Sequence, residues 1–77
     1  MTIELRFFAG LRQFLPGGTN PAVGEFAEGA TVADVLRTYR VPEDKPRILL
    51  VNGRHALLDQ VLHDGDVLSA FPPVAGG

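Results

Sequence analysis

The chain has 77 residues, 45% of them hydrophobic and 21% charged, with a net charge of −2 and no cysteine; this is the balance of one small globular domain over residues 1–77. Without cysteine there is no disulfide framework, thiolate catalysis, or Cys-ligated zinc or iron–sulfur centre, and the slightly acidic balance argues against nucleic-acid binding. The longest apolar run, Ile48–Val51, is far short of a membrane span, and the alternating start lacks a signal peptide's apolar stretch, so the cytoplasm is the expected compartment.

Residues 2–8 predict a half-buried strand, with Ile3, Leu5 and Phe7 on one face and Thr2, Glu4, Arg6 and Phe8 on the other. Phe8 breaks its face, ending a polar row in a large aromatic. Pro16-Gly17-Gly18-Thr19-Asn20-Pro21 is the clearest break in the chain, and Leu11, Phe14 and Leu15 before it can tuck onto the core. A second strand is expected over Ala22–Glu28, with Phe26 buried and Gly24 a weak point. Thr31 reads as a helix N-cap with Asp34 as its capping-box partner. Val32, Val35, Leu36 and Tyr39 recur at helical spacing, and Pro42 ends the helix near Arg40.

Arg47–Asn52, aliphatic on both faces, predicts a well-buried strand, and Gly53 turns it into a short strand over Arg54–Leu57. Asp59–Leu62 suits one helical turn and Asp64-Gly65-Asp66 a turn. The last strand, Val67–Phe71, puts Leu68 and Ala70 on one face and Val67, Ser69 and Phe71 on the other. The order describes an α+β layer pair, a helix across a mixed sheet. Its expected core is Ile3, Leu5, Phe7, Phe26, Val35, Leu36, Leu50, Leu62 and Leu68.

Conventional catalytic constellations are missing. His55 and His63 have no Cys, His or Glu at ligand spacing and read as solvated histidines, so no metal site is expected. Pro16-Gly17-Gly18 lacks the Lys-Ser/Thr of a phosphate loop, and Ser69 has no nearby histidine to activate it. By itself the chain is expected not to be an enzyme.

Its C-terminus carries the chemical interest. Pro72 and Pro73 cannot join a ladder and favour extended backbone, so they stop the last strand and direct residues 72–77 outward as a flexible, extended tail. Fully extended, Val74, Ala75, Gly76 and Gly77 would reach roughly 13 Å. Two terminal residues without side chains can thread a narrow tunnel in another protein and present the Gly77 carboxylate there. The plain alternative is a frayed terminus.

Three segments carry a family resemblance: Phe7-Phe8-Ala9-Gly10-Leu11-Arg12; Val51-Asn52-Gly53 with Asp64-Gly65-Asp66; and Phe71-Pro72-Pro73-Val74-Ala75-Gly76-Gly77. With these, essentially the whole chain resembles the MoaD/ThiS sulfur carriers, and its two ends look most like MoaD, the small subunit of molybdopterin synthase. The resemblance implies a ubiquitin-like β-grasp fold, with a mixed four- to five-stranded sheet, one main helix across it, and adjacent, parallel first and last strands. It also implies a carrier cycle. An ATP-dependent adenylyltransferase related to ubiquitin-activating enzymes converts the Gly77 carboxylate to an acyl-adenylate, and a sulfur donor displaces AMP to leave a thiocarboxylate. The large subunit of molybdopterin synthase then directs that sulfur to a pterin precursor. The chain itself would bind no cofactor, since ATP belongs to the activating partner.

On that fold Phe8 and Phe71 would share the polar sheet face as a partner-docking patch beside Pro72, Pro73, Val74 and Ala75; alternatively, the loop through Leu11 and Phe14 buries them. Arg12 matches a basic position of the MoaD pattern and could pair with an acidic partner group or stay solvated. Thiamin synthesis or another thiolation pathway, a conjugating modifier, and a docking module that never activates its tail are the alternative readings.

Overall fold

The computed structural model describes residues 1–18, 20–42, 44–46 and 48–73. Strand β1 (Thr2–Phe7) leads into two short 3-10 turns (Ala9–Phe14 and Pro16–Gly18), then β2 (Ala22–Glu25), helix α1 (Val32–Thr38), β3 (Ile48–Val51), β4 (Arg54–His55) and β5 (Val67–Phe71). The five strands form one sheet in the order β2-β1-β5-β3-β4. β1 and β5 run parallel at its centre, and the other neighbours are antiparallel.

Alternation in the strands sets the core. Ile3, Leu5, Phe7, Leu68 and Ala70 all point to the side covered by α1, where Val32, Val35 and Leu36 meet them with no exposed surface. Leu11 and Leu15 fold back to close one end of this core, and Leu62 closes it further. Fully burying a side chain of this size contributes about 1.5–3 kcal/mol, so a domain without disulfides rests on this cluster.

Helix α1 is fixed at both ends. At its start, the Thr31 hydroxyl accepts from the Asp34 amide (3.2 Å) and the Asp34 carboxylate accepts from the Thr31 amide (2.9 Å), the capping box expected from sequence. At its end the helix stops at Thr38, two residues before the expected limit. Arg40 adopts a positive φ of 61°, the Val41 amide donates to the Leu36 carbonyl and the Arg40 amide to that of Arg37, closing a Schellman turn with arginine where glycine is customary.

Several expectations need correction. β2 ends at Glu25 rather than Glu28, and Phe26 is half-buried, set edge-on against Tyr39 at 6.2 Å. Leu50 is not core: β3 pairs Leu49 with Ala70 and Val51 with Leu68, which turns Leu50 to the opposite face beside Ser69. Nor is β3 buried on both sides, for Ile48 is 42% exposed on the sheet face that α1 leaves open. The strand expected over Arg54–Leu57 is only Arg54–His55, and Leu57 is exposed. Residues 59–62 make no helical turn, because their backbone is recruited elsewhere. The Leu58 and Gln60 carbonyls accept from the first amides of α1, Val61 bridges Thr31, and the Leu62 amide donates to Ala30.

Val51-Asn52-Gly53 and Asp64-Gly65-Asp66 meet in space. Asn52 and Gly53, with φ of 52° and 81°, form the two-residue turn joining β3 to β4. The Asn52 side chain donates to Asp66 and accepts from the Val67 amide (both 2.9 Å), while the Asp64 carboxylate accepts from the Thr2 amide at 2.7 Å. These segments tie β3 and β1 to the start of β5; their polar groups are spent on structure.

Candidate functional site

The central parallel pair brings the ends of β1 and β5 to one place. Phe7 lies opposite Ala70, and the Phe8 amide donates to the Ala70 carbonyl at 3.0 Å, so Phe8 lands beside Phe71. Their rings stack with centroids 4.3 Å apart and planes 2° from parallel. Both are half-buried. The loop does not enclose them, since Leu11 and Leu15 turn into the core, and the stack itself covers part of each ring.

Ile48 is the cross-strand partner of Phe71, and Leu50 that of Ser69, so two aliphatic side chains extend the aromatic pair across the open face. Sequence reading missed both, because four consecutive aliphatics in β3 conceal which two face outward. Elsewhere on this face Arg6 pairs with Glu4 and the Thr2 hydroxyl donates to Glu25, with Val67 and the exposed Val23 on either side of Glu4. The result is an apolar strip bordered by charge, at the end of the sheet where the chain leaves. On the near side of Phe8, the Asn20 side chain donates to the Phe7 carbonyl at 2.8 Å and fixes the backbone that aims Phe8.

Pro72 is half-buried and Pro73 exposed, directly after β5. Arg12 is exposed and makes no ion pair among the described residues. Val74, Ala75, Gly76 and Gly77, to which the sequence assigns the chemistry, lie outside the described residues. His55 and His63 are exposed, His55 as the cross-strand partner of Leu50 at the β4 edge of the strip, and the described residues contain no cluster of three potential metal ligands. No helix among them is long and apolar enough to cross a membrane.

Comparison with known proteins gives this arrangement a family. The sequence profile of the ThiS family matches residues 5–77. This chain belongs to the ThiS family. It is 39% identical to small archaeal modifier protein 3 of Haloferax volcanii over 94 aligned positions that cover 100% of both chains. Among solved structures it is similar to a Haloferax volcanii protein determined in solution, with 39% identity, a TM-score of 0.79, and coverage of 100% of this chain and 87% of that one. It is also similar to a Pyrococcus furiosus protein assigned as molybdopterin converting factor, subunit 1, with 30% identity, a TM-score of 0.74, and coverage of 95% and 98%. The fold of this ThiS-family chain is therefore the ubiquitin-like β-grasp, with five strands and one main helix. It is a small carrier or modifier protein and not an enzyme.

Proposed function

We propose that this ThiS-family chain is a sulfur carrier acting through its Gly77 carboxylate, most specifically in molybdopterin synthesis. The observation that carries the reading is the Phe8–Phe71 stack at the foot of Pro72 and Pro73. An apolar strip rimmed by polar residues is what a docking partner seals against, and here it stands where a thread of small residues begins. The relative named as subunit 1 of molybdopterin converting factor supports the molybdopterin assignment.

The chemistry follows from the carboxylate. Its carbon is a poor electrophile, and ATP supplied by a partner adenylyltransferase converts it to a mixed anhydride with release of pyrophosphate. A sulfur donor adds at that carbonyl, AMP leaves, and a thiocarboxylate remains at Gly77. In the active site of the synthase's large subunit the thiocarboxylate sulfur attacks the pterin precursor. Phe8, Phe71 and Arg12 would hold the carrier on its partners, while Pro72, Pro73, Val74, Ala75 and Gly76 would deliver the end. ATP, and any metal, belong to those partners.

A second reading, a modifier joined through Gly77 to amines of other proteins, is favoured by the likeness to small archaeal modifier protein 3 and shares the first step. Intact-protein mass after incubation with the cognate adenylyltransferase, ATP and a sulfur donor separates the two. The carrier gains the difference of one oxygen exchanged for sulfur at Gly77, and deletion of Gly77 abolishes this without moving the melting curve. Amide-linked conjugates without thiocarboxylate favour the modifier. A cognate system that leaves the carboxylate untouched, on a chain that still binds its partner, makes the protein a docking module.

A further inference from the structure

The sequence holds two asparagines, Asn20 and Asn52, and they differ in what they can do to their own backbone. The amide nitrogen of a following residue can attack an asparagine side chain, and glycine hinders that approach least. Asn20 precedes Pro21, whose nitrogen bears no hydrogen to give up. Asn52 precedes Gly53, in the exposed two-residue turn between β3 and β4.

The fold holds the Asn52 side chain away from this reaction. Its Nδ2 donates to Asp66 Oδ1 and its Oδ1 accepts from the Val67 amide, both at 2.9 Å. The Asn52 amide donates to the Val67 carbonyl at 2.8 Å, and Val51 pairs with Arg54 across the turn. Asp66 is itself fixed, since its other oxygen accepts from the His63 amide at 2.8 Å. Both bonds of the Asn52 side chain end on Asp66 and Val67, so it is tied down while the start of β5 is docked.

We propose that Asn52 is a site of spontaneous deamidation gated by the docking of β5, and that the product loosens the seat of that strand. The Gly53 nitrogen adds to Asn52 Cγ as it gives up its proton. A C–N bond forms, the Cγ–Nδ2 bond breaks, and ammonia leaves with that proton. A cyclic imide remains, and one water opens it at either carbonyl to give aspartate or isoaspartate; in both, NH2 has been exchanged for OH. Aspartate lacks the donor that Asp66 accepts from and sets two carboxylates at hydrogen-bond distance. Isoaspartate lengthens the main chain by a carbon inside a turn built for two residues, and so disturbs the Val51–Arg54 register. Either product weakens the seat of the strand that carries Phe71 and leads into Pro72 and Pro73. A chain that has lingered unfolded is thereby marked, and it refolds with a looser β5. The inference does not depend on activation of Gly77.

The test follows the chain over time at mildly alkaline pH, folded and in guanidinium chloride. Trypsin releases residues 48–54, in which Asn52 is the only side-chain amide, so the mass of this peptide reports the exchange. The need to open two hydrogen bonds should slow the folded chain at least about tenfold relative to the unfolded one. Asp66→Ala removes the acceptor of Nδ2; with its folding checked by a melting curve, it should raise the folded rate at least about threefold. Equal rates in the folded and unfolded unaltered chain overturn the gate, with or without that variant. A folded Asp66→Ala chain that reacts no faster than the unaltered one overturns it too. Chains aged unfolded and then refolded should exchange the Val67 amide hydrogen at least about threefold faster than unaged chains. Val67 protection that survives full conversion overturns the consequence for β5.

Discussion

A single hydrogen atom at Gly24 lets two aromatic rings close over the edge of the sheet. Gly24 lies opposite Ile3 on the core side of β2, and a Cβ there would sit 2.5 Å from the Tyr39 hydroxyl and 2.8 Å from the Phe26 ring. The residue that sequence reading treats as a weak point in a strand is thus the gap that Phe26 and Tyr39 fill. Gly24→Ala should destabilise the fold by about 1–3 kcal/mol through overpacking, although alanine suits a strand better than glycine; urea unfolding measures this, and a neutral result would mean that the rings shift freely. The Phe8–Phe71 stack gives a second expectation at this scale. Such a pair contributes about 0.5–1.5 kcal/mol beyond the area it buries, so a double-mutant cycle of Phe8→Ala and Phe71→Ala should return a stability coupling in that range. Each single change should also weaken partner binding by about 1–3 kcal/mol, the range of interface anchors. A much larger stability loss with unaltered partner affinity would assign both rings to the core instead.

Helix α1 shows what seven residues need in order to stay helical. Isolated helices of this length are marginal in water, and here the first amides are all occupied: Val32 donates to Gln60, Ala33 to Leu58 and Asp34 to the Thr31 hydroxyl. Thr31→Ala removes the last of these and should cost about 1 kcal/mol in chemical denaturation. The Asp34 carboxylate is held below its ordinary titration range, first by the Thr31 amide and hydroxyl and then by the nearby Arg37 guanidinium. A depressed carboxylate stabilises the fold above the ordinary aspartate pKa, and this contribution is lost as pH falls through the lower, folded value. The stability gap between the native chain and Asp34→Asn should therefore be constant near neutral pH and close in acid; a gap that persists below the folded pKa would show that charge plays no part. The start of α1 was legible in sequence because a capping box is local, and so were the strand alternations of β1 and β5. The end of α1 was not, since nothing local marks Arg40 as a left-handed residue. The outward face of Leu50 and the recruitment of residues 58–62 depend on long-range pairing, which no window of sequence contains. At the apolar strip, Phe8 was legible as an aromatic ending a polar row and Phe71 as its companion on the same sheet face, whereas Ile48 was hidden in an unbroken aliphatic run.

Across the whole molecule, stability should be graded from the centre of the sheet outward. β1 and β5 have neighbours on both sides and contribute Ile3, Leu5, Phe7, Leu68 and Ala70 to the core, while β4 is a two-residue edge strand with both side chains exposed. Hydrogen exchange should find the β1 and β5 amides opening only with global unfolding and those of β4 opening locally at much lower free energy; equal protection in all strands would contradict this grading. The central place of β5 also has a consequence during synthesis on the ribosome. Until Val67–Phe71 has emerged, the nascent chain lacks the strand that lies between β1 and β3 in the finished sheet. Phe71 can reach Phe8 only when β5 takes that place. The surface that an activating enzyme would recognise is therefore assembled last, by the same segment that carries the tail, and a truncated or unfolded chain offers such an enzyme an end without a handle.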